Sequence, residues 1–326
     1  MLGCGVALIR YRAFENRDPP ALAEIWRTQR PIRGRMQAVT PQLLEAHVFA
    51  KPWFDRHGLI VACEDDRPVG FVHAGFGPSA DHRDLDYSQG TTCLLLVAPH
   101  PQRNLIAQEL LAASEHYLRS QGARRVYAGS YDPLNAFYLG MYGSSDVAGV
   151  LASNRGWVDL LTVSGYRPLF SRVLAGRTLA SFRPPIDRQQ MLVRRRFKVQ
   201  GPIDVLPANW WDACVWSLHD WVRYDLVLPG GGEPLVSATF WEVEPLGRNW
   251  GVQTMGLVKL EDTPEARAEG LTTFLLAEVL RQFQTQGYGQ FEAQAPLEDE
   301  SLRAVFAALG LEEYDRGTLW VLDRSA

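Results

Sequence analysis

Apolar and polar positions along this chain follow two periods, and the periods succeed each other in the same order twice. Apolar residues at helical spacing in LAEIWRTQ (22–29) and LLEAHVFAKPWF (43–54) predict two helices. LIVACE (59–64), a DDRP turn and VGFVHAGF (69–76) predict an antiparallel hairpin, and TTCLLLVA (91–98) a buried strand. Residues 103–121 predict a long amphipathic helix with Ile106, Leu110, Leu111 and Leu118 on one face. RRVYAGS (124–130) reads as the next strand, LNAFYLGMY (134–142) as a short helix and GYRPLFSRVLA (165–175) as closing strand structure. The stretch 176–190, with Pro184-Pro185 and little periodicity, reads as a linker.

The second half repeats the plan. MLVRRRFKV (191–199) reads as a strand whose Arg194, Arg195 and Arg196 form a solvated edge. A helix starts at Asn209, and its Trp210, Trp211 and Trp216 are expected to fill the second core. A hairpin around PGGGEP, the strand WGVQTMGLVKL, a long helix over 265–286 and the strand QFEAQA follow. The helix LRAVFAALG comes next, and LEEYDRGTLWVL closes the half as a turn between two strand-like runs. A constant offset of 165 pairs Pro99 with Pro264, Gln102 with Arg267, Ala107 with Thr272, and Gln121-Gly122 with Gln286-Gly287. Later, Gly165-Tyr166 pairs with Gly310-Leu311 at an offset of 145, so the first copy carries an insertion containing the loop-like GSSDVAGVLASN. The expected organisation is an internal duplication: one domain over 8–175, a linker over 176–190 and a second domain over 191–324.

Composition changes this picture little. The 326 residues are 46% hydrophobic and 21% charged, as in ordinary globular proteins, and the net charge of −4 points away from nucleic acid. Cys4, Cys63, Cys93 and Cys214 are scattered with no CxxC pair, so neither a zinc site nor a redox motif is expected. MLGCGVALIR lacks a basic segment before its apolar run and is read as a terminus leading into a strand. A cytoplasmic protein with no membrane partner is the expectation.

The chemistry is expected where a buried strand leads through a loop into a long helix. In the second copy this loop is Arg267-x-x-Gly270-x-Thr272; in the first it is Gln102-x-x-Leu105-x-Ala107, after Val97-x-Pro99. A helix start offers unpaired N–H groups and a positive dipole end, and a glycine there makes room for an anion. A pyrophosphate cradle is the functional reading, although Gly270 is also compatible with a helix glycine tolerated at a cost of about 1 kcal/mol. Leu105 has a side chain where room is wanted and is expected to turn into the core.

The motif, together with the strand and helix order found twice, resembles the GCN5-related N-acetyltransferase (GNAT) family, whose signature is Q/R-x-x-G-x-G/A after a strand. The resemblance implies an α/β (α+β) fold class: two tandem GNAT-like domains, each a mixed, mostly antiparallel central sheet flanked by helices. It implies acetyl-CoA as co-substrate, no metal, and transfer of an acetyl group to a primary amine by direct attack in a ternary complex. Coenzyme contacts would come from Leu96 and Val97 on the splayed strand and from Gln102, Arg103, Asn104, Leu105, Ile106 and Ala107 at the helix start. Arg267, Gly270 and Thr272 would do the same in the second copy. The family pattern N-x-x-x-x-x-x-Y matches Asn135 and Tyr142, which implies Asn135 as a coenzyme ligand. Tyr142, or Tyr138 one turn earlier, would be the acid that protonates the thiolate. The second copy has no equivalent, since SLRAVFAALG contains neither residue. Either tyrosine is equally compatible with a core aromatic. His73, Asp86 and Asp132 are candidate bases, His73 being also compatible with a core histidine.

Two other classes compete. A degenerate acetyltransferase fold acting as a non-catalytic acyl-CoA-binding or scaffold protein fits the missing acid of the second copy. A dinucleotide-binding Rossmann domain does not fit, because no GxGxxG follows the first strand and hairpins precede both loops. The expected partner is a small-molecule or peptide amine, with a homodimer compatible with the pattern.

Overall fold

The computed structural model describes residues 8–134 and 137–322. Strands β1 (Ile9–Ala13), β2 (Leu59–Glu64), β3 (Arg67–Pro78), β4 (Leu85–Val97) and β5 (Arg125–Ala128) line up in sequence order. Neighbours among them are antiparallel, except that β4 and β5 run parallel. Helix α1 (Pro19–Arg27) and the short α2 (Pro41–Leu44) precede β2, and α3 (Arg103–Ser120) connects β4 to β5. A two-residue strand β6 (Val150–Leu151), helix α4 (Arg155–Val163) and the long strand β7 (Tyr166–Thr178) follow.

The second half contains α5 (Arg188–Arg196), β8 (Lys198–Asp204), α6 (Trp210–Val215), β9 (Trp221–Val227), β10 (Val236–Glu242) and α7 (Glu244–Trp250). It continues with β11 (Thr254–Glu261), α8 (Pro264–Ala268), α9 (Leu271–Gln286), β12 (Gln290–Pro296), α10 (Glu300–Ala308) and β13 (Glu312–Leu322). Its strands stand in the reverse order, β12-β11-β10-β9-β8, with β11 and β12 parallel. The duplication is thus visible as a pseudo-two-fold arrangement about the middle of one continuous sheet.

The last strands of the two halves are exchanged at that middle. β7 pairs with β12 of the second half, and β13 pairs with β5 of the first. β7 and β13 pair with each other along nearly their whole length, Glu312 opposite Gly176 and Leu322 opposite Tyr166. The core is shared too. One cluster runs from first-half residues such as Trp26, Leu59 and Phe71 to Trp211, Trp241 and Leu246 of the second half. Trp211 stacks on Trp53 at 4.2 Å, so it joins the halves rather than filling a separate second core.

Several sequence expectations change. Residues 191–196 are helical, because the apolar positions Val193 and Phe197 lie one turn apart and face inward. The run 265–286 is two helices, broken at Gly270, whose φ of 74° is left-handed. Residues 312–322 form one strand, with register shifts instead of a turn. The helix expected over 134–142 is absent over its described residues, where 137–141 form turns and Tyr138 has a φ of 64°. The helix equivalent to α10 is α4, at the offset of 145, carrying buried Trp157, Leu160 and Leu161. The insertion therefore lies between β5 and α4, and its residues 137–150 are all buried.

Candidate functional site

In the first half β4 and β5 stay paired only over Gln89–Thr92 and Arg125–Ala128, so β4 is free of β5 from Cys93 onward. Leu96 and Val97 lie on this diverging stretch, and both are buried. The Val97 carbonyl accepts a hydrogen bond of 3.0 Å from the side-chain amide of Gln29, a buried residue just beyond α1. The Gln29 carbonyl oxygen in turn accepts from Arg103, the first residue of α3, at 3.0 Å.

The start of α3 is open. Gln102 is its N-cap and makes no side-chain cap; its N–H goes to His100 Nδ1 at 3.0 Å, and His100 Nε2 meets Glu64 at 3.1 Å. Ile106 makes the first intrahelical bond, to Gln102, which leaves the N–H groups of Asn104 and Leu105 without a protein acceptor among the described residues. A shallow cavity of about 370 Å³ lies over His100 to Leu105. Ile106 points into the core and Ala107 is half-buried, but Leu105 is 51% exposed and does not turn inward as expected.

Sequence reasoning missed a second cation here. Arg35 is only 3% exposed, yet no carboxylate partners it among the described residues. Its one side-chain hydrogen bond goes to the Arg30 carbonyl, and its Nε is buried without a partner. Burial lowers its pKa; the Tyr142 hydroxyl opposes that shift and Arg103 adds to it. A buried guanidinium without a counter-ion is costly, and together with Arg103 and the α3 amides it suits an anion. Nothing in the sequence around Gly34-Arg35 marks it out, because its burial comes from a pairing with the insertion. Met36 and Gly143 donate to Met141 and Gly34 at 2.9 and 2.8 Å, bringing Arg35 opposite Tyr142.

The start of α9 is closed. Arg267 holds Asp262 in a two-pronged ion pair at 2.7 and 2.8 Å and also reaches Asp299 at 2.8 Å. Those contacts raise its pKa, the Asp262 hydrogen bond most. Thr272 in the first turn of α9 donates to the same Asp262 carboxylate at 2.8 Å. The anion at this helix start is therefore part of the protein. Helix α5 covers the turn from outside: Gln189 donates to the Ala268 carbonyl at 2.9 Å and Gln190 to the Gly270 carbonyl at 3.2 Å. A Cβ on Gly270 would come within 3.0 Å of Gln190 Nε2. Gly270 thus serves the left-handed turn and the close approach of α5, which corrects the expectation of an open cradle at Arg267, Gly270 and Thr272.

The two candidate acids are also interior groups. Tyr138 is buried, and its hydroxyl meets His73 Nδ1 at 2.9 Å. Burial raises the Tyr138 pKa well above its ordinary value and lowers that of His73 to about 3. The Tyr142 hydroxyl accepts from the Leu151 N–H at 3.1 Å and from Asn154 at 3.2 Å, and burial pushes it up to about 12. Asn135 lies outside the described residues. The residues seven positions after Asn154 and Asp299, which precede α4 and α10, are Leu161 and Phe306, so neither of these helices carries a tyrosine there. Asp86 accepts from Ser88 and Gln89 at the start of β4, and Asp132 follows β5, where burial raises its pKa.

With this geometry in place, comparison with known proteins defines the fold. Residues 20–143 match the model of the acetyltransferase (GNAT) family. Over its whole length the chain has a tandem GNAT fold. It is similar to a tandem GNAT protein from the clavulanic acid biosynthesis pathway, with 12% identity and a TM-score of 0.63 over 98% of this chain and all of that one. A GCN5-related N-acetyltransferase from Sphaerobacter thermophilus gives 14% identity and a TM-score of 0.65, covering 96% of this chain and 95% of that one. A glucosamine N-acetyltransferase region of a fungal multi-domain β-N-acetylglucosaminidase gives 15% identity and a TM-score of 0.67 over 98% of this chain, which spans 38% of that protein. No curated protein sequence matches. Among the described residues no helix is long and apolar enough to cross a membrane, and no cluster of three or more metal-ligating side chains occurs.

Proposed function

We propose that the protein is an acetyl-CoA-dependent N-acetyltransferase whose coenzyme site lies in the first half. The observation that carries this reading is the unbalanced positive charge at the start of α3. Among the described residues Arg103 and Arg35 have no carboxylate partner and two backbone donors are free, where Asp262 fills the matching position in the second half. The pyrophosphate of the coenzyme would take those donors. Its pantetheine arm would follow β4 and replace Gln29 at the Val97 carbonyl. Acetyl-CoA supplies the thioester. A neutral primary amine attacks its carbonyl carbon, the C–N bond forms, the C–S bond breaks, and the amine's proton ends on the departing thiolate.

The burial of both tyrosine hydroxyls favours a second reading, in which the chain binds acyl-CoA without transferring the acyl group. Isothermal titration of acetyl-CoA separates the outcomes. One site is expected, weakened at least about tenfold in Arg103→Ala or Arg35→Met and unchanged in Arg267→Ala. Loss of binding in Arg267→Ala with none in the other two would overturn the assignment to the first half. Binding without thiol release across a panel of amines would establish the second reading. If transfer does occur, unchanged turnover in Tyr142→Phe and Tyr138→Phe would remove both as acids.

A further inference from the structure

The segment 183–198 departs from the rest of the surface. The chain carries −4 overall, yet this stretch holds Arg183, Arg188, Arg194, Arg195, Arg196 and Lys198 against Asp187 alone. Helix α5 at its centre is firmly seated. Asp187 caps it through the Gln190 N–H at 2.7 Å, Gln190 and Val193 are buried, and Arg194 is ion-paired with Glu278. That seating fixes which stripe looks outward: Arg188, Met191, Leu192 and Arg195, at positions i, i+3, i+4 and i+7. Met191 is 53% exposed, Leu192 51%, and the adjoining Ile186 87%. Arg188, Arg195 and Arg196 have no carboxylate partner among the described residues. Beside the stripe a groove of about 650 Å³ is lined by Pro184, Ile186, Met191, Phe274 and Ala277, and by Arg281 paired with Glu278.

We propose that this face docks on an anionic lipid bilayer. The arginines engage lipid phosphates, and Ile186, Met191 and Leu192 enter the boundary between headgroups and acyl chains. The neighbouring groove is lined to take part of one acyl chain. Charge complementarity selects an anionic surface, and the exposed apolar trio selects lipid over nucleic acid, which would use the arginines and leave those side chains in water. The proposal is independent of the coenzyme reading, since none of these residues lies at the α3 start.

Co-sedimentation of the full chain with vesicles tests it. Binding is expected to equimolar phosphatidylcholine and phosphatidylglycerol, weakening as salt is raised, with none to phosphatidylcholine alone. Arg188→Ala with Arg195→Ala should weaken binding about 25-fold, from about fivefold per arginine. Met191→Ser with Leu192→Ser should weaken it at least about fivefold. These side chains are exposed, and unchanged thermal melting would confirm that the variants fold. Equal binding to pure phosphatidylcholine, or no loss in the arginine pair, would overturn the proposal. So would binding to a DNA or RNA duplex that equals vesicle binding and is indifferent to the serine pair.

Discussion

The starts of α3 and α9 descend from one pattern and solve one electrostatic problem in opposite ways. Each presents the positive end of a long helix after a buried strand. At α9 the protein supplies the anion: Asp262, whose side chain is only 2% exposed, is held by Arg267 and Thr272, and α5 lies over the turn. At α3 the position equivalent to Asp262 is Val97, at the offset of 165, and among the described residues no carboxylate pairs with Arg35 or Arg103 beside it. A glycine after an arginine is therefore a poor guide to an open anion site. What decides is whether a carboxylate is folded into it.

Asp262 is the residue on which the difference between the two helix starts rests most heavily. Asp262→Ala leaves Thr272 and half of Arg267 unpaired, and a loss of about 3 kcal/mol in urea unfolding is expected, with acetyl-CoA affinity unchanged. A milder loss, or a new acetyl-CoA site, would mean that the carboxylate only blocks the cradle and does not support it.

The halves also share histidines, buried His73 and His47 and half-buried His219, whose neutral forms the fold prefers. Burial lowers His73 to about 3, His47 to about 4 and His219 to about 3. Their folded pKa values lie below the unfolded one. Stability is therefore complete above about pH 6.5 and is lost as pH falls towards the folded values. Each fully buried member should cost about 2 kcal/mol at pH 5 relative to pH 8. Denaturant midpoints at the two pH values check this, and His47→Gln should flatten the dependence.

Gly270→Ala should cost about 1–2 kcal/mol, because alanine resists the φ of 74° and meets Gln190, while coenzyme binding stays the same. The smallest effect is expected at the first loop. Leu105→Gly removes an exposed side chain beside the free amides and should tighten acetyl-CoA binding by about threefold, read by titration.

The duplication, its register of 165 and most strands were legible because apolar periodicity is local and was read twice. The strand exchange was not, since nothing local in residues 312–322 says whether they pair with β5 or with β12, and only the assembled sheet shows which. Helix α4 was passed over although Trp157, Leu160 and Leu161 have helical spacing, because the preceding GSSDVAG suggested an exposed loop. That loop is interior because Ser145 and Asp146 offer backbone carbonyls to Trp241 and Gln294 of the second half, at 2.7 and 2.6 Å. Helix α3 is legible from its apolar spacing, whereas the closure of α9 is not. Asp299 reaches Arg267 across 32 residues, a contact no local pattern encodes.

The exchanged strands also bear on how the chain is made. As it leaves the ribosome, β5 emerges some 184 residues before the strand that completes its edge. The nascent first half must wait with that edge bare until residues 312–322 arrive, an interval of about 10–40 s at ordinary rates of synthesis. During that time the edge is open to other chains. The order of synthesis thus makes the second half a chaperone-like prerequisite for the first, even if only the first meets the coenzyme.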